Sequence, residues 1–527
     1  LFVLISAFSE FLNSFGVLMQ NPISRIIIVG GGTAGWMSAA ALSVAVPKEV
    51  EVLLIESEEI GIIGVGEATV PAIRFFNDHI GLNEAEFVRA TEATFKLGIE
   101  FRGWGHETNR YFHGFGDFGD DHQAISAYAL WRRLRSLGDQ TPLEAFSLSA
   151  QLALADRFFP PNPDPRSPMH NYNYAFHFDA SLYARFLRRH AEARGVKRLN
   201  AKISGVNLRS EDGFIESVTL EDGRVEAADF FIDCSGFRGL LIEGALKTGY
   251  TDWSHYLPVD RAWAVPCERT DPLQPYTVST AREAGWQWRI PLQHRTGNGH
   301  VFSSNFTDEQ SALDTLMANL DGAPLKDPML IRFTTGYRNK FWNKNCICTG
   351  LASGFIEPLE STSINFIQNL MVRFLEFYPS RSHSQAIEDE FNRMVLREYE
   401  RVRDFIILHY RLNTRQDGEL WRYCADMPIP DSLQARMDLF AHCGRVITED
   451  RDTFKLPSWT AIFNGQGVVS DIYDPLADRL GEFELRSLMR QRLAEIEKVT
   501  QQLPSHAEFI ARHCASEAFL KPVRAQA

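Results

Sequence analysis

The segment from Arg25 to Glu56 restricts the fold of this 527-residue chain more than any other part of it. Arg25-Ile-Ile-Ile-Val29 is a short β-branched run of the kind found in buried parallel strands. It leads directly into Gly30-Gly31-Gly32-Thr33-Ala34-Gly35 and then into a helix-like stretch, Trp36–Val46. A second apolar run, Glu49–Ile55, ends at Glu56. Strand, G-x-G-x-x-G, helix, strand and acid therefore occur in the order a dinucleotide-binding βαβ unit requires. The glycines let the backbone approach a pyrophosphate, and the helix N-terminus faces its charge. Glu56, about 20 residues beyond the loop, is placed to accept from a ribose hydroxyl. A glycine loop alone is weak evidence, but the flanking strand and acid make it specific.

That unit fits NAD or FAD. Two later strands favour FAD. Phe230-Phe-Ile-Asp-Cys-Ser-Gly236 and Asn345-Cys-Ile-Cys-Thr-Gly350 are apolar runs that each end in a glycine turn. Large flavoproteins close over FAD with such returning strands, which makes the nucleotide-binding module discontinuous in sequence. Between them, Lys202–Asp229 alternates like paired strands around an Asp222-Gly223 turn. Further strands from Thr251 to Thr307 predict a substrate-side sheet. From Ile364 onward helical periodicity dominates, over Asn365–Phe377, Ser384–Tyr410, Asp431–Phe440 and Glu482–Gln502. The expectation is an α/β chain: a Rossmann-like three-layer FAD fold with an inserted antiparallel sheet over residues 19–365, then a mainly helical substrate-binding region over 366–527. Residues 1–18, apolar and preceding Met19, read as a non-native or disordered leader.

The bulk numbers exclude several classes of function. A formal charge of −13 argues against a nucleic-acid surface, which needs clustered Lys and Arg. No segment reads as a transmembrane span. Seven cysteines scattered over so long a chain suggest free thiols in a reducing compartment, hence a cytoplasmic protein. Cys346 and Cys348 lack a second pair and read as core, and no metal site is expected.

Four other segments carry chemistry. Trp286-Gln-Trp288-Arg-Ile-Pro291 would put two indoles on one face of a strand, and Pro291 limits pairing beyond it. Thr94-Phe-Lys96-Leu-Gly-Ile-Glu100 places a lysine in an apolar context, downstream of Gly64-Val-Gly66-Glu67-Ala68-Thr69-Val70-Pro71. A buried lysine must pair or lose its charge. Gly354-Phe-Ile-Glu357-Pro-Leu-Glu360-Ser361-Thr362-Ser363-Ile364 holds two glutamates around a proline, entering a helix. Tyr111-Phe-His113-Gly-Phe115 offers an imidazole and a ring two residues apart.

With these motifs the chain resembles the flavin-dependent halogenases of the tryptophan and indole type, from Arg25 to about Gly465. The resemblance implies that Trp286 and Trp288 shield the flavin from organic substrate. Lys96 is implied as the catalytic amine that holds hypohalous acid or forms a haloamine with it. Glu360 is implied as the carboxylate that stabilises the cationic ring intermediate and assists its deprotonation. By the same likeness Thr362 and Ser363 bind chloride or bromide, while Ser361, His113, Phe115 and Phe454 contact the aromatic substrate. Gly30, Gly32, Thr33, Ala34, Gly35, Glu56, Ala68, Gly236, Gly350 and Ile364 contact FAD. Tryptophan halogenases have glycine where this chain has Ser363, and a positive φ there would suit serine poorly. They also grip free tryptophan with a Tyr-Tyr pair, which this chain lacks; a smaller indole-like or a larger open-site arene is the expected substrate. FAD would arrive reduced from a separate NAD(P)H-dependent flavin reductase, and a homodimer is common in similar proteins. The competing readings are a flavin-dependent aromatic monooxygenase, which does not explain Lys96 with Glu360, and a non-catalytic flavin-binding protein.

Overall fold

The computed structural model describes residues 21–59 and 66–520. The expected leader, residues 1–18, lies outside these, as do Gly64 and Val65 of the strap.

The βαβ unit forms as the sequence predicts, with small shifts. Strand Arg25–Val29 pairs in parallel with Glu51–Glu56, and the helix between them runs from Thr33 to Ala45. Both strands are buried along their length because helices cover the sheet. The two returning strands dock where a discontinuous module requires. Phe230–Asp233 lies parallel to Arg25–Val29, and Cys346–Cys348 lies parallel to Phe230–Asp233. With Lys197–Asn200 on one side and Trp342–Asn343 on the other, they complete a six-stranded sheet. Cys346 and Cys348 are buried in this core, and all seven cysteines are free thiols.

The inserted antiparallel sheet is larger than the sequence suggested. Its seven strands run in the order Met329–Arg332, Arg261–Glu268, Arg295–Phe302, Gly285–Pro291, Thr277–Arg282, Gly98–Arg102 and Arg110–Gly114. Gly98–Arg102 joins it in parallel with Thr277–Arg282, so the segment following Lys96 becomes part of the substrate-side sheet. Lys96 itself ends a three-stranded sheet of Gly66–Ala68, Ala175–Asp179 and Thr94–Lys96. The expected turn at Asp222-Gly223 joins the antiparallel strands Ile215–Leu220 and Val225–Ala227. The C-terminal helices appear as Ser363–Glu376, Gln385–Arg411, Asp431–Cys443 and Glu482–Gln502. Helix Gln385–Arg411 is buried from Val402 to Tyr410, and that end reaches the site. Among the described residues no helix is long and apolar enough to cross a membrane.

Candidate active site

A cavity of about 1110 Å³ runs from the glycine loop to the tryptophan strand. Gly30, Gly32, Thr33, Ala34, Glu56, Ala68, Gly236, Gly350 and Ile364 all line it. Gly35 does not; it lies in the helix where a Cβ would meet the Gly30 carbonyl oxygen at 1.9 Å, so its role is close helix–loop packing. Gly32 caps the helix without any side-chain acceptor, and no acid sits in the first turn. The helix-end N–H groups and their partial positive charge are thus left for a pyrophosphate. Glu56 lies at the cavity edge, ion-paired with Arg198. Glycine backbone, an open helix N-terminus and a terminal acid are a donor and acceptor set that fits FAD, and the cavity is long enough to extend to the indoles.

Those indoles form part of its wall. Trp286 and Trp288 are buried, share one face of their strand, and have ring centroids 6.1 Å apart. Gly299, directly opposite Trp288 on the neighbouring strand, makes room for it, because a Cβ there would meet the Trp288 ring at 2.0 Å. That glycine is an accommodation the sequence did not announce. The Trp286 indole N–H points away from the wall and donates to Glu357 Oε2 at 2.8 Å.

Lys96 is fully buried rather than snorkelling. Its Nζ donates to the Thr69 carbonyl and to Ser361 Oγ, each at 3.0 Å, and lies 5.1 Å from the Phe115 ring centroid. Burial lowers the amine to about 7, against the opposing pull of Glu360. A second layer fixes the lysine strand. Thr94 Oγ1 donates to the Pro291 carbonyl at 2.6 Å and so must accept from His177 Nδ1 at 2.9 Å. Burial holds His177 well below its usual value, so it is neutral, and its Nε2 accepts from Thr277. The lysine strand and the end of the tryptophan strand are tied through these groups.

Glu360 is also fully buried. Both of its oxygens lie 2.9 Å from His113 Nδ1, and Oε1 lies 2.9 Å from His409 Nε2. Burial alone would raise this carboxyl, but the two imidazoles outweigh it and hold it at about 2. His409 went unnoticed in sequence. Its signal is an imidazole inside the apolar run Phe405–Tyr410, one turn after Phe405. The chain reverses sharply here, with Glu360 at φ 66° and Ser361 at φ 63°. Two consecutive non-glycine residues in the left-handed region are a strained arrangement typical of functional turns.

The same reversal settles the serine question. Thr362 has ordinary right-handed angles and Ser363 opens the helix, so no left-handed backbone is demanded at 363. The strain expected at Ser363 falls instead on Glu360 and Ser361. A left-handed residue followed by a right-handed one, entering a helix, forms a concave nest of N–H groups. Thr362 Oγ1 is buried there without a partner, and Ser361 and Ser363 face the cavity. Donors without protein acceptors are what a halide requires.

On the other side of Lys96 the rings gather. His113 lies 6.3 Å from Phe115, 5.9 Å from Phe405 and 6.2 Å from Phe454, centroid to centroid, and Phe405 stacks on Phe454 at 3.9 Å. The structure thus brings Lys96, Glu360, Ser361, His113, Phe115 and Phe454 together, with Glu360 and Ser361 at the cavity wall.

Fold and site together define an enzyme with a flavin-type cavity whose wall carries a buried lysine–carboxylate cluster. The tryptophan halogenase family model matches residues 25–482, and the chain belongs to that family of flavin-dependent halogenating enzymes. Among curated relatives, tryptophan 7-halogenase KtzQ of Kutzneria sp. (strain 744) is 35% identical over 442 residues, 80% of this chain and 82% of its own. Among solved structures, the flavin-dependent halogenase BrvH from Brevundimonas sp. BAL3 is 44% identical, with a TM-score of 0.90 over 93% of this chain and 99% of its own. Xcc4156, a flavin-dependent halogenase from Xanthomonas campestris, is 42% identical, with a TM-score of 0.91 over 95% and 100%.

Proposed function

We propose that this halogenase acts on a small, electron-rich, indole-type arene without a charged handle, using FAD reduced by a separate flavin reductase and chloride or bromide. The observation that carries the reading is a buried Lys96 and a buried Glu360, each held by named partners, at a cavity that Trp286 and Trp288 also line. Bound reduced flavin, with oxygen, supplies the oxidising equivalent that converts halide to hypohalous acid. The nest at Thr362 and Ser363 holds the halide, and Trp286 with Trp288 keeps the arene off the cofactor. Thr69 and Ser361 take two hydrogens of the Lys96 amine. The remaining position is a third N–H for binding hypohalous acid when Lys96 is charged, or a lone pair for forming a haloamine when it is neutral. Either arrangement fixes a diffusible oxidant beside the ring. Glu360, kept ionised, stabilises the cationic ring and can accept its proton.

The substrate class rests on the surroundings of Phe454. The carboxylates flanking it, Glu449 and Asp452, are taken up by Arg397 and Arg401. They are not placed to receive the ammonium of a free amino acid, and the rings around His113 offer apolar contact instead.

The test is mass spectrometry of reactions containing FAD, a generic flavin reductase, NADH and either indole or tryptophan, with chloride or with bromide. Halogenated indole, absent from Lys96→Ala, is expected, with tryptophan the poorer substrate. Lys96→Ala should keep FAD binding and flavin reoxidation. Hydroxylated product without halogen, or substantial halogenation by Lys96→Ala, would overturn the reading.

A further inference from the structure

The last turn of helix Gln385–Arg411 carries two consecutive residues that each hold one glutamate of the segment Glu357–Glu360. His409 Nε2 meets Glu360 Oε1 at 2.9 Å, and the Tyr410 hydroxyl donates to Glu357 Oε2 at 2.9 Å. Glu357 Oε2 also receives the Trp286 indole N–H at 2.8 Å. Glu357 is fully buried, and its carboxyl does not line the cavity. Burial pushes that carboxyl up to about 7 against the two hydrogen bonds that favour its charge. One helix turn therefore reaches the neighbour of Lys96 through Glu360, and the indole wall through Glu357 and Trp286.

The donor count at His409 is unusual. Its Nδ1 lies 2.8 Å from the Phe405 carbonyl, which can only accept. An ionised Glu360 can also only accept, so His409 donates at both nitrogens. His113 differs, since Nδ1 spans both carboxylate oxygens while its buried Nε2 has no partner. His113 can satisfy Glu360 as a neutral ring, whereas His409 is committed on both sides and fixes Oε1 to the helix backbone. Tyr410 and the wall indole share Glu357 Oε2 as acceptor, which ties the indole N–H to the same helix turn.

We propose that His409 and Tyr410 form a positioning clamp, in which His409 orients Glu360 for the arene step and Tyr410, through Glu357, orients Trp286 for the flavin-side step. The proposal rests on the halogenase reading above. It separates two losses. Each pair of electrons from NADH ends in halogenated arene, in hypohalous acid that escapes, or in hydrogen peroxide. A misplaced Glu360 lets hypohalous acid form but slows its use by the ring. A misplaced Trp286 loosens the wall, so less halide is oxidised and more oxygen returns as peroxide.

The experiment measures all three outputs with indole, a freely diffusing 1,3-diketone trap for hypohalous acid, and a peroxide assay. For His409→Gln we expect arene halogenation at least tenfold slower at an arene KM within about twofold of wild type. Trapped hypohalous acid should rise, with total oxidised halide per NADH unchanged. For Tyr410→Phe we expect total oxidised halide to fall at least threefold and peroxide to rise in step, the ratio of arene product to trapped acid staying the same. Glu357→Gln, which keeps an acceptor for the indole, should behave closer to wild type than Glu357→Leu. FAD binding and melting temperature identify any variant that fails to fold, and the near-isosteric Tyr410→Phe and Glu357→Gln then carry the comparison. An unchanged distribution, or both variants losing every output in parallel, overturns the clamp. If the wild type oxidises no halide, the functional reading fails instead. The clamp is then decided by the Trp286 indole N–H resonance in ¹⁵N spectra, assigned with Trp286→Phe. A shift in Tyr410→Phe supports it, and an unmoved signal overturns it.

Discussion

Replacing Lys96 by methionine should stabilise the flavin-free protein at neutral pH and lose that advantage at high pH. The folded amine binds its proton only below about 7, whereas the unfolded chain holds it up to 10.5. Between those values the unfolded state carries the extra proton, so wild-type stability rises with pH through this window. At pH 7 and below the folded protein bears the whole cost of burying a charge. That displacement of the amine corresponds to about 5 kcal/mol, and the portion between pH 7 and 10 to about 4 kcal/mol. Methionine fills a similar volume and removes this cost, but it leaves the acceptors of Thr69 and Ser361 without their donor, at about 1–3 kcal/mol. Lys96→Met should then be more stable than wild type by about 2–4 kcal/mol at pH 7. By pH 10 it should be level with wild type or below it. Denaturant unfolding of both proteins at several pH values from 6 to 10 measures the crossing. A stability difference that stays constant across that range would refute the argument, because it would mean that the amine titrates alike in both states. The physical point is that a buried amine held against stability has to be kept for chemistry.

Glu360→Gln should lower the halogenation rate by roughly 10²–10⁴-fold while leaving FAD binding near wild type, measured by product formation and flavin titration; a loss under threefold would remove Glu360 from the arene step. The same carboxyl, lowered from 4.5 to about 2, contributes about 3 kcal/mol of stability that is fully present above pH 4.5 and lost as pH falls toward 2. Acid unfolding of wild type and Glu360→Gln should therefore converge over that interval. Gly350→Ala should weaken FAD binding at least tenfold in a fluorescence titration, since Gly350 has φ +61° and its added Cβ would come within 2.6 Å of the Ala34 Cβ at the cavity wall.

How far the site could be read from sequence depends on whether each contact is local or made by folding. The glycine loop and its strands were legible because the phosphate cradle is contiguous and its glycines leave a spacing on the page. Trp286 and Trp288 were legible as a facing pair because strand periodicity is two. Neither rule reaches His409, whose partner Glu360 is 49 residues away, nor Gly299, whose missing side chain is explained only by the indole on the adjacent strand. Periodicity correctly marks the end of helix Gln385–Arg411 as buried, yet an imidazole in an apolar run looks the same whether it is a satisfied core residue or a partner to a carboxylate. The serine at 363 misled for a related reason. A motif comparison assigns backbone strain to the position where residue types differ, but the reversal that makes the nest is set by where the chain must turn to bring Glu360 to His113. The structure moves that strain two and three residues upstream, onto Ser361 and Glu360, the residues in contact with His113, His409 and Lys96. A turn held in this unfavourable conformation by a histidine on a strand, a histidine on a helix and a lysine on another sheet is over-determined by tertiary contacts. That is why it persists without a glycine, and why the local sequence did not disclose it.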